Sequence, residues 1–182
     1  MSNLIDVLSS TGLRTGEILS RAEVHRQGKY HRAIHLYILN AKNEILLQKR
    51  ALTVDNAPGM LTISVLGHVN AGESSSSTVR REVEEELGID ASQWKFDFLF
   101  SFLQEAHVSE TYIERQFSDV YLTRAELDLT RVRLDHVEVA EVYFVPFERF
   151  LEMVSDPSSG LAPVYEEECR DLVYFLGNLA SA

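Results

Sequence analysis

Cysteine is almost absent from this chain, since Cys169 is the only one among 182 residues. A single thiol excludes the internal disulfide framework that stabilises many small secreted proteins. Its neighbours Glu167, Glu168 and Arg170 give the segment the composition of a solvated helix. We therefore interpret Cys169 as a structural residue and not as a nucleophile.

Long apolar runs are also missing. No stretch approaches the roughly 20 apolar residues that a membrane-spanning helix needs. Met1 is not followed by the basic segment and apolar core of a signal peptide. We therefore expect a cytoplasmic protein that has no membrane partner.

Basic residues are scarce relative to acidic ones. There are 17 Lys and Arg residues against 28 Asp and Glu residues, which gives a formal net charge of −11. That charge works against the large phosphate-backbone interface of a long nucleic acid. Small phosphorylated molecules stay open as ligands, because a bound cation can reverse the local field.

The chain has the length of one domain with a sizeable core, and its 45% apolar content is normal for a globular protein. No repeat or long linker divides it, so residues 1–182 are predicted to form a single domain. Residues 1–30 are predicted to form a peripheral hairpin extension, with a strand at Leu4–Leu8 and turns at 9–12 and 15–16. A buried hairpin is predicted to follow, with strands at Ala33–Leu39 and Glu44–Gln48.

The second half is also predicted to alternate strands and helices. The predicted elements are a hairpin of strands Trp94–Gln104 and Thr111–Thr123 joined by a polar turn at Glu105–Glu110, a strand at Val137–Val145, a helix at Phe147–Val154 and a C-terminal helix within residues 161–182. In the C-terminal helix an apolar face is predicted to pack on the sheet, formed by Tyr165, Leu172, Tyr174, Phe175 and Leu179.

The segment Ser74–Leu87 is the clearest predicted helix. It contains no Gly or Pro, begins with serines that can cap free N–H groups, and is followed by Gly88, a residue suited to a helix C-terminus. Val79, Val83 and Leu87 form an apolar stripe that can dock on a core.

Three carboxylates, those of Glu82, Glu85 and Glu86, share one arc of this predicted helix. Like charges at this spacing repel one another and destabilise the helix. A hard divalent cation such as Mg²⁺ would relieve that repulsion, although a solvated charged face is the alternative on residue types alone. Arg81 can pair with Glu85 one turn later or with Glu73 in the preceding loop.

The wider pattern favours the metal site. From Gly67 the sequence passes through Glu73 to Arg81-Glu82-Val83-x-Glu85-Glu86-x-Gly88-Ile89. This segment resembles the Nudix box at every defining position. The resemblance implies an α/β/α sandwich of the α+β class with a mixed β-sheet and a bound Mg²⁺ (or Mn²⁺). It also implies cleavage of a diphosphate linkage in a small-molecule substrate, either a nucleoside diphosphate derivative or a related organic diphosphate.

The chain also resembles one Nudix subgroup, which contains the isopentenyl-diphosphate isomerases and the hydrolases similar to them. The isomerases carry a proton-transferring cysteine where this chain has Leu66, a diphosphate-binding lysine where it has Val54, and a catalytic glutamate near Gln116. Their box is degraded, whereas this one is complete. These departures favour hydrolysis, and the alternatives are an isomerase-like enzyme or a non-catalytic ligand-binding domain.

Three histidines, His25, His31 and His68, match positions that bind metal in the isomerases. Two interpretations stay open, a second metal site and a polar pocket of hydrogen-bonded histidines. The oligomeric state is equally open, with a homodimer as one outcome.

The predicted roles follow from the needs of diphosphate hydrolysis, which are charge neutralisation and an activated water. Metal binding is assigned to Glu82 and Glu86, with Glu85 as a further ligand or the base, and Glu138 as the other base candidate. Arg81 belongs to the catalytic set because it can hold Glu85, while the predicted substrate-binding residues are Arg50, Gly67 and His68.

Overall fold

The structure, a computed structural model, describes residues 4–162 and 166–179. The strands are β1 (Leu4–Leu8), β2 (Arg14–Ser20), β3 (His31–Leu39), β4 (Glu44–Arg50), β5 (Leu61–Thr62), β6 (Val65–His68), β7 (Asp97–Ser109), β8 (Tyr112–Arg124) and β9 (Val139–Pro146). The helices are α1 (Arg21–Gln27), α2 (Ser75–Leu87), α3 (Phe147–Ser155) and α4 (Glu166–Leu179). None of the helices in these residues is long and apolar enough to cross a membrane.

Strands β3 to β9 form one mixed sheet with the central order β5-β4-β3-β8-β7. Strand β3 pairs with β8 in parallel and with β4 and β6 antiparallel, while β9 pairs with β4. Helix α2 packs on one face through the apolar stripe predicted from the sequence, and α3 and α4 pack on the other. The predicted mixed sheet with helices on both sides is confirmed.

The sheet divides in its middle. Strands β3 and β4 pair at Leu39 and Ile45, whereas the first half of β3 pairs with β6. The buried hydroxyl of Ser64 lies between the diverging strands, where it accepts a hydrogen bond from Ile38 N–H (2.8 Å) and donates one to the Leu46 carbonyl (2.6 Å). Ser64 thus satisfies backbone groups that the divergence would otherwise leave unpaired.

The predicted helix after the box loop is confirmed, with Ser74 as its N-cap and Gly88, at φ 63°, as its C-cap. The Ser74 side chain accepts a hydrogen bond from Ser77 N–H, and Gly88 N–H donates to the Glu84 carbonyl. These local signals are sufficient to set both ends of α2.

The predicted turn at Glu105–Glu110 is wrong. Strand β7 continues to Ser109, and its pairing with β8 runs on through Glu105 and Arg115 to Ser109 and Tyr112. Because β7 lies at the edge of the sheet, polar side chains there stay solvated while the backbone remains paired. Trp94 and Phe96 precede this strand and pack on the α2 side of the core.

The N-terminal segment differs from the prediction in two respects. The expected turn at 15–16 lies inside β2, where the register against β1 shifts and Gly16 adopts φ 88°. Helix α1 was not predicted at all, although Ser20 and Glu23 form a capping box at its start.

The C-terminal helix α4 partly matches its prediction. Leu172 is buried and Phe175 stacks on Phe100 with ring centroids 5.5 Å apart. Tyr174 is 67% exposed, so its assignment to the core is wrong. The side chains of Tyr165 and Leu179 lie outside the described part of the chain.

Candidate functional site

Three carboxylates of helix α2 line a cavity, two of them buried and one exposed. Glu82 and Glu86, one turn apart, retain only 8% and 4% of their exposure. The side chain of Glu85 is 57% exposed at the cavity rim. The sequence placed all three on one arc, but the docking of the apolar stripe buries only the two carboxylates next to it.

Arg81 links the box loop to these carboxylates. Its guanidinium is 3.1 Å from Glu73 Oε2, 2.8 Å from Glu82 Oε1 and 2.7 Å from Glu85 Oε2. It also donates to the His68 carbonyl at 3.0 Å. The two pairings predicted for Arg81 therefore occur together, and one side chain orients both the loop and the helix.

Two neighbouring residues fit the buried carboxylates closely. A Cβ on Gly67 would collide with the Glu82 side chain, so any residue other than glycine at this position would displace that carboxylate. Gln48 Nε2 donates to Glu86 Oε2 at 3.1 Å. Gln48 was not singled out in the sequence, where a glutamine in a buried strand carries no distinctive signal.

The electrostatics of the two buried carboxylates, Glu82 and Glu86, favour the binding of a cation. Burial raises the pKa of Glu82 to about 7, and the Arg81 charge opposes that rise. Burial also raises the pKa of Glu86 well above its ordinary value, and the charges of Glu82 and Glu138 add to the effect. Two desolvated carboxylates side by side therefore hold protons near neutral pH, and a divalent ion can take the place of those protons.

A second cluster lies on the same cavity. One ligand atom from each of His25, His31, His68 and Glu114 falls within 4.8 Å of the others. His25 Nε2 is 3.1 Å from His68 Nε2, and His31 Nε2 is 3.8 Å from Glu114 Oε1. Within the described residues, His31 Nε2 is the one buried side-chain nitrogen or oxygen atom that lacks a hydrogen-bond partner.

The imidazoles of this cluster are held neutral. Burial lowers the pKa of His25 and of His31 to about 4, and that of His68 well below its ordinary value. Burial raises the pKa of Glu114 to about 7. Neutral imidazoles offer lone pairs, so the donor set suits a metal ion. Glu114 was missed in the sequence, where nothing local connects it to histidines from other elements.

The cavity is also lined by two arginines. Arg50 extends from the end of β4, and its Nε donates to the Asn56 carbonyl at 2.8 Å. Arg21 begins α1, and its positive charge contributes to the lowered pKa values of the three clustered histidines. Arg21 was not predicted as a site residue, because α1 itself was not recognised from the sequence.

The cavity is open to solvent and has a volume of about 160 Å³. It brings together every site residue predicted from the sequence: Arg50, Gly67, His68, Arg81, Glu82, Glu85, Glu86 and Glu138. Leu66 and Gln116, the positions that depart from the isomerases, line it as well. His68 faces the histidine cluster through its ring and Arg81 through its carbonyl.

We expect the metal-free protein to lose stability as pH rises from 6.5 to 8. Carboxyls with raised pKa values take up protons on folding, so their contribution is present at low pH and is lost as pH rises through about 7. Histidines with lowered pKa values release protons on folding, so they make the protein more stable as pH rises. That effect is confined to pH values below their ordinary pKa of 6.5. Each carboxyl contributes roughly 1 kcal/mol over this interval.

Urea denaturation in EDTA at several pH values measures this dependence. Glu82→Gln should flatten the slope, and Glu84→Gln, on the exposed face of α2, should leave it unchanged. An unaltered slope in Glu82→Gln would show that the buried carboxyl does not titrate as described.

The chain is similar in sequence to known proteins of one family. Residues 29–165 match the NUDIX domain family. Nudix hydrolase 3 of Arabidopsis thaliana is 38% identical over 162 residues, which are 87% of this chain and 21% of that protein. An uncharacterised Nudix hydrolase of Listeria monocytogenes is 32% identical, covering 77% of this chain and 78% of that protein. The isopentenyl-diphosphate Delta-isomerase of Serratia proteamaculans is 34% identical, covering 57% of this chain and 56% of that protein.

Solved structures share the fold. DR0079 from Deinococcus radiodurans superposes with a TM-score of 0.67 at 20% identity, over 84% of this chain and 88% of that one. The C. elegans Ap4A hydrolase superposes with a TM-score of 0.59 at 20% identity, over 83% of this chain and 98% of that one. The match of residues 29–165 and the sequence relatives show that the chain belongs to the NUDIX domain family.

Proposed function

We propose that this chain is a divalent-metal-dependent hydrolase that cleaves the diphosphate linkage of a nucleoside diphosphate derivative or a related small organic diphosphate. The observation that carries the proposal is the pair of buried carboxylates, Glu82 and Glu86, at a cavity that also presents arginines. The names of the Arabidopsis and Listeria relatives, both Nudix hydrolases, support it. We place this activity in the cytoplasm, with a monomer and a homodimer both compatible with it.

Glu82 and Glu86 would hold Mg²⁺, or Mn²⁺ in its place, with Glu85 as an additional ligand at the rim. The fit rests on two features, the raised pKa values of the buried pair and the space that Gly67 leaves for Glu82. When bound there, the ion would supply positive charge to the phosphate oxygens and would make a neighbouring water more acidic.

The remaining site residues have roles that follow from their positions. Arg50 and Arg21 offset the negative charge of the diphosphate as it enters the cavity. Arg81 keeps Glu85 and the box loop in place through its contacts with Glu73 and Glu85. A carboxylate, Glu138 or Glu85, accepts the proton of the attacking water. The water oxygen bonds to phosphorus, and the electron pair of the broken P–O bond leaves with the departing phosphate.

The alternative activities are less well supported. Leu66 lines the cavity next to Gly67 and cannot transfer the proton that double-bond isomerisation needs. The intact set of box glutamates argues against a domain that binds ligands without catalysis. Release assays with Mg²⁺ across nucleoside diphosphates, sugar nucleotides and isopentenyl diphosphate separate these activities, since hydrolysis yields a monophosphate product and isomerisation does not.

Glu86→Gln should lower kcat by about 100-fold or more while the protein remains folded, because it removes charge from a buried ligand at nearly constant shape. Steady-state hydrolysis with Mg²⁺ measures the loss. Glu84→Gln provides a matched control on the exposed face of the same helix and should keep full activity. Wild-type turnover in Glu86→Gln would refute the metal assignment.

The identity of the base is tested by comparing Glu138→Gln with Glu85→Gln. If Glu138 is the base, kcat of Glu138→Gln should fall by about 10²–10⁴-fold, which is the rate enhancement that general-base catalysis typically gives. Its metal affinity should be preserved. Glu85→Gln should then have the smaller effect on kcat. Unchanged kcat in Glu138→Gln would transfer the role to Glu85.

We propose that the histidine cluster binds a second divalent ion, because His31 Nε2 is buried without a hydrogen-bond partner and three neutral imidazoles converge with Glu114. Calorimetric titration with Mn²⁺ should give two ions per wild-type chain. His31→Gln and Glu86→Gln should each bind one, and the double variant none. His136→Gln, an exposed histidine, is the control. A single wild-type ion that His31→Gln still binds would contradict the second site.

A further inference from the structure

A group of polar side chains lines the same cavity beside the histidine cluster. His35 lies two positions beyond Ala33 on β3, Gln116 lies on β8, and Gln104 lies directly opposite Gln116 on β7. We call His35, Gln104 and Gln116 the polar wall. All three line the cavity, and none belongs to the box or to the histidine cluster.

The C-terminal helix fixes the orientation of His35. Glu168 on α4 is 1% exposed, and its Oε1 lies 2.8 Å from His35 Nδ1. The same oxygen accepts a hydrogen bond from the Tyr37 hydroxyl at 2.9 Å. Burial raises the pKa of Tyr37 well above its ordinary value, so that hydroxyl stays a donor. Glu168 therefore holds Nδ1–H of His35, and Nε2 is directed towards Gln116.

Burying the polar groups of Glu168 and His35 beside an apolar core costs folding free energy. Tyr37, Leu172 and Cys169 belong to the apolar core beneath α3 and α4, and Glu168 is the neighbour of Cys169 in the chain. Apolar side chains of similar volume often stabilise such a buried position at least as well as a polar or charged group does. A polar network in that place is therefore better explained by a ligand than by stability.

The Gln116 amide nitrogen is the centre of the hydrogen bonds in the polar wall. Gln116 Nε2 lies 2.9 Å from Ser118 Oγ, 3.0 Å from Gln104 Oε1 and 3.4 Å from His35 Nε2. An amide nitrogen carries two hydrogens, so it can serve at most two of these three neighbours at once, and Gln104 Oε1 has the Ser118 hydroxyl as a further donor at 3.5 Å. The long contact to His35 is the weakest, which leaves the imidazole Nε2 available to a molecule in the cavity.

We propose that the polar wall determines substrate specificity by hydrogen-bonding the organic group of the diphosphate, with Glu168 as the residue that positions His35. This inference rests on the proposed function. The ligand chemistry is a group that both donates and accepts hydrogen bonds, as a heterocyclic base or sugar hydroxyls do. A hydrocarbon group would displace water from the polar wall without replacing its hydrogen bonds, and the polar wall therefore selects against it.

The experiment compares inorganic pyrophosphate, isopentenyl diphosphate and the four common nucleoside diphosphates in the presence of Mg²⁺. The readout is kcat/KM for each probe that is hydrolysed and Kd by calorimetry for each that is not. The wild-type chain should prefer nucleoside diphosphates over isopentenyl diphosphate. Differences among the four nucleotides assign the contact to the base, and equal values assign it to the sugar.

Gln116→Leu and His35→Leu should each weaken nucleoside diphosphate recognition about 10- to 100-fold, the loss expected when a buried polar partner is removed. The loss should appear in KM, with kcat little changed. Values for pyrophosphate should stay within about twofold, since it offers the polar wall no organic group, whereas kcat/KM or affinity for isopentenyl diphosphate should rise, since leucine removes the polar groups that select against a hydrocarbon. Glu168→Leu should act in the same direction, and Glu168→Gln should restore most of the preference because it keeps an acceptor for His35 Nδ1–H.

The controls separate this inference from the proposed function. Gln93→Leu, at an exposed loop position, should change nothing. Gln104→Leu, on a partly exposed strand, gives an independent test if His35→Leu does not fold. An equal loss for all probes, or no wild-type preference, would overturn the role of the polar wall even if hydrolysis occurs. A preference that depends on the polar wall in binding, without any hydrolysis, would preserve that role and refute the hydrolase.

Discussion

The burial of two like-charged side chains is the constraint on which the site depends. Glu82 and Glu86 lie one turn apart on α2, almost without solvent, because Val79, Val83 and Leu87 dock the helix on the sheet. This geometry costs free energy, since a desolvated carboxylate pair in metal-free protein must take up protons or repel. Arg81, Gln48 and the missing side chain of Gly67 accommodate the pair without removing that cost. Proton uptake relieves the repulsion at low pH, and within the proposed function a bound cation relieves it at higher pH.

The sheet provides the space that the carboxylates face. Strand β6 takes the place beside β3 that β4 would hold in a continuous sheet, and the Ser64 hydroxyl satisfies the backbone groups exposed by this exchange. Residues from both faces of the sheet can then reach one cavity. This explains how Glu86, on the α2 side, and Glu168, on the α4 side, come to line the same space.

The sequence predicts those features of the fold and the site that depend on residues close together in the chain. The ends of α2 follow from Ser74 and Gly88, and the spacing of Glu82 and Glu86 follows from the helix period. Burial and long-range partners are not local properties. Nothing near Glu114 indicates that it meets histidines from α1, β3 and β6, and nothing near Glu168 indicates that it meets His35. The polar stretch at 105–110 was misread as a turn because an edge strand and a turn are equally solvated.

The charges of the cavity imply that metal and substrate bind together. Its lining includes six glutamates, Glu82, Glu85, Glu86, Glu114, Glu138 and Glu168, against the three arginines Arg21, Arg50 and Arg81. A diphosphate alone would enter a cavity with more carboxyl groups than guanidinium groups, and a cation alone would leave Arg21 and Arg50 without the anion. Within the proposed function, each ligand therefore raises the affinity of the cavity for the other, and this coupling is reciprocal by thermodynamic necessity. The strongly acidic composition of the chain is then compatible with an anionic substrate, because the cation supplies the attraction that the protein lacks.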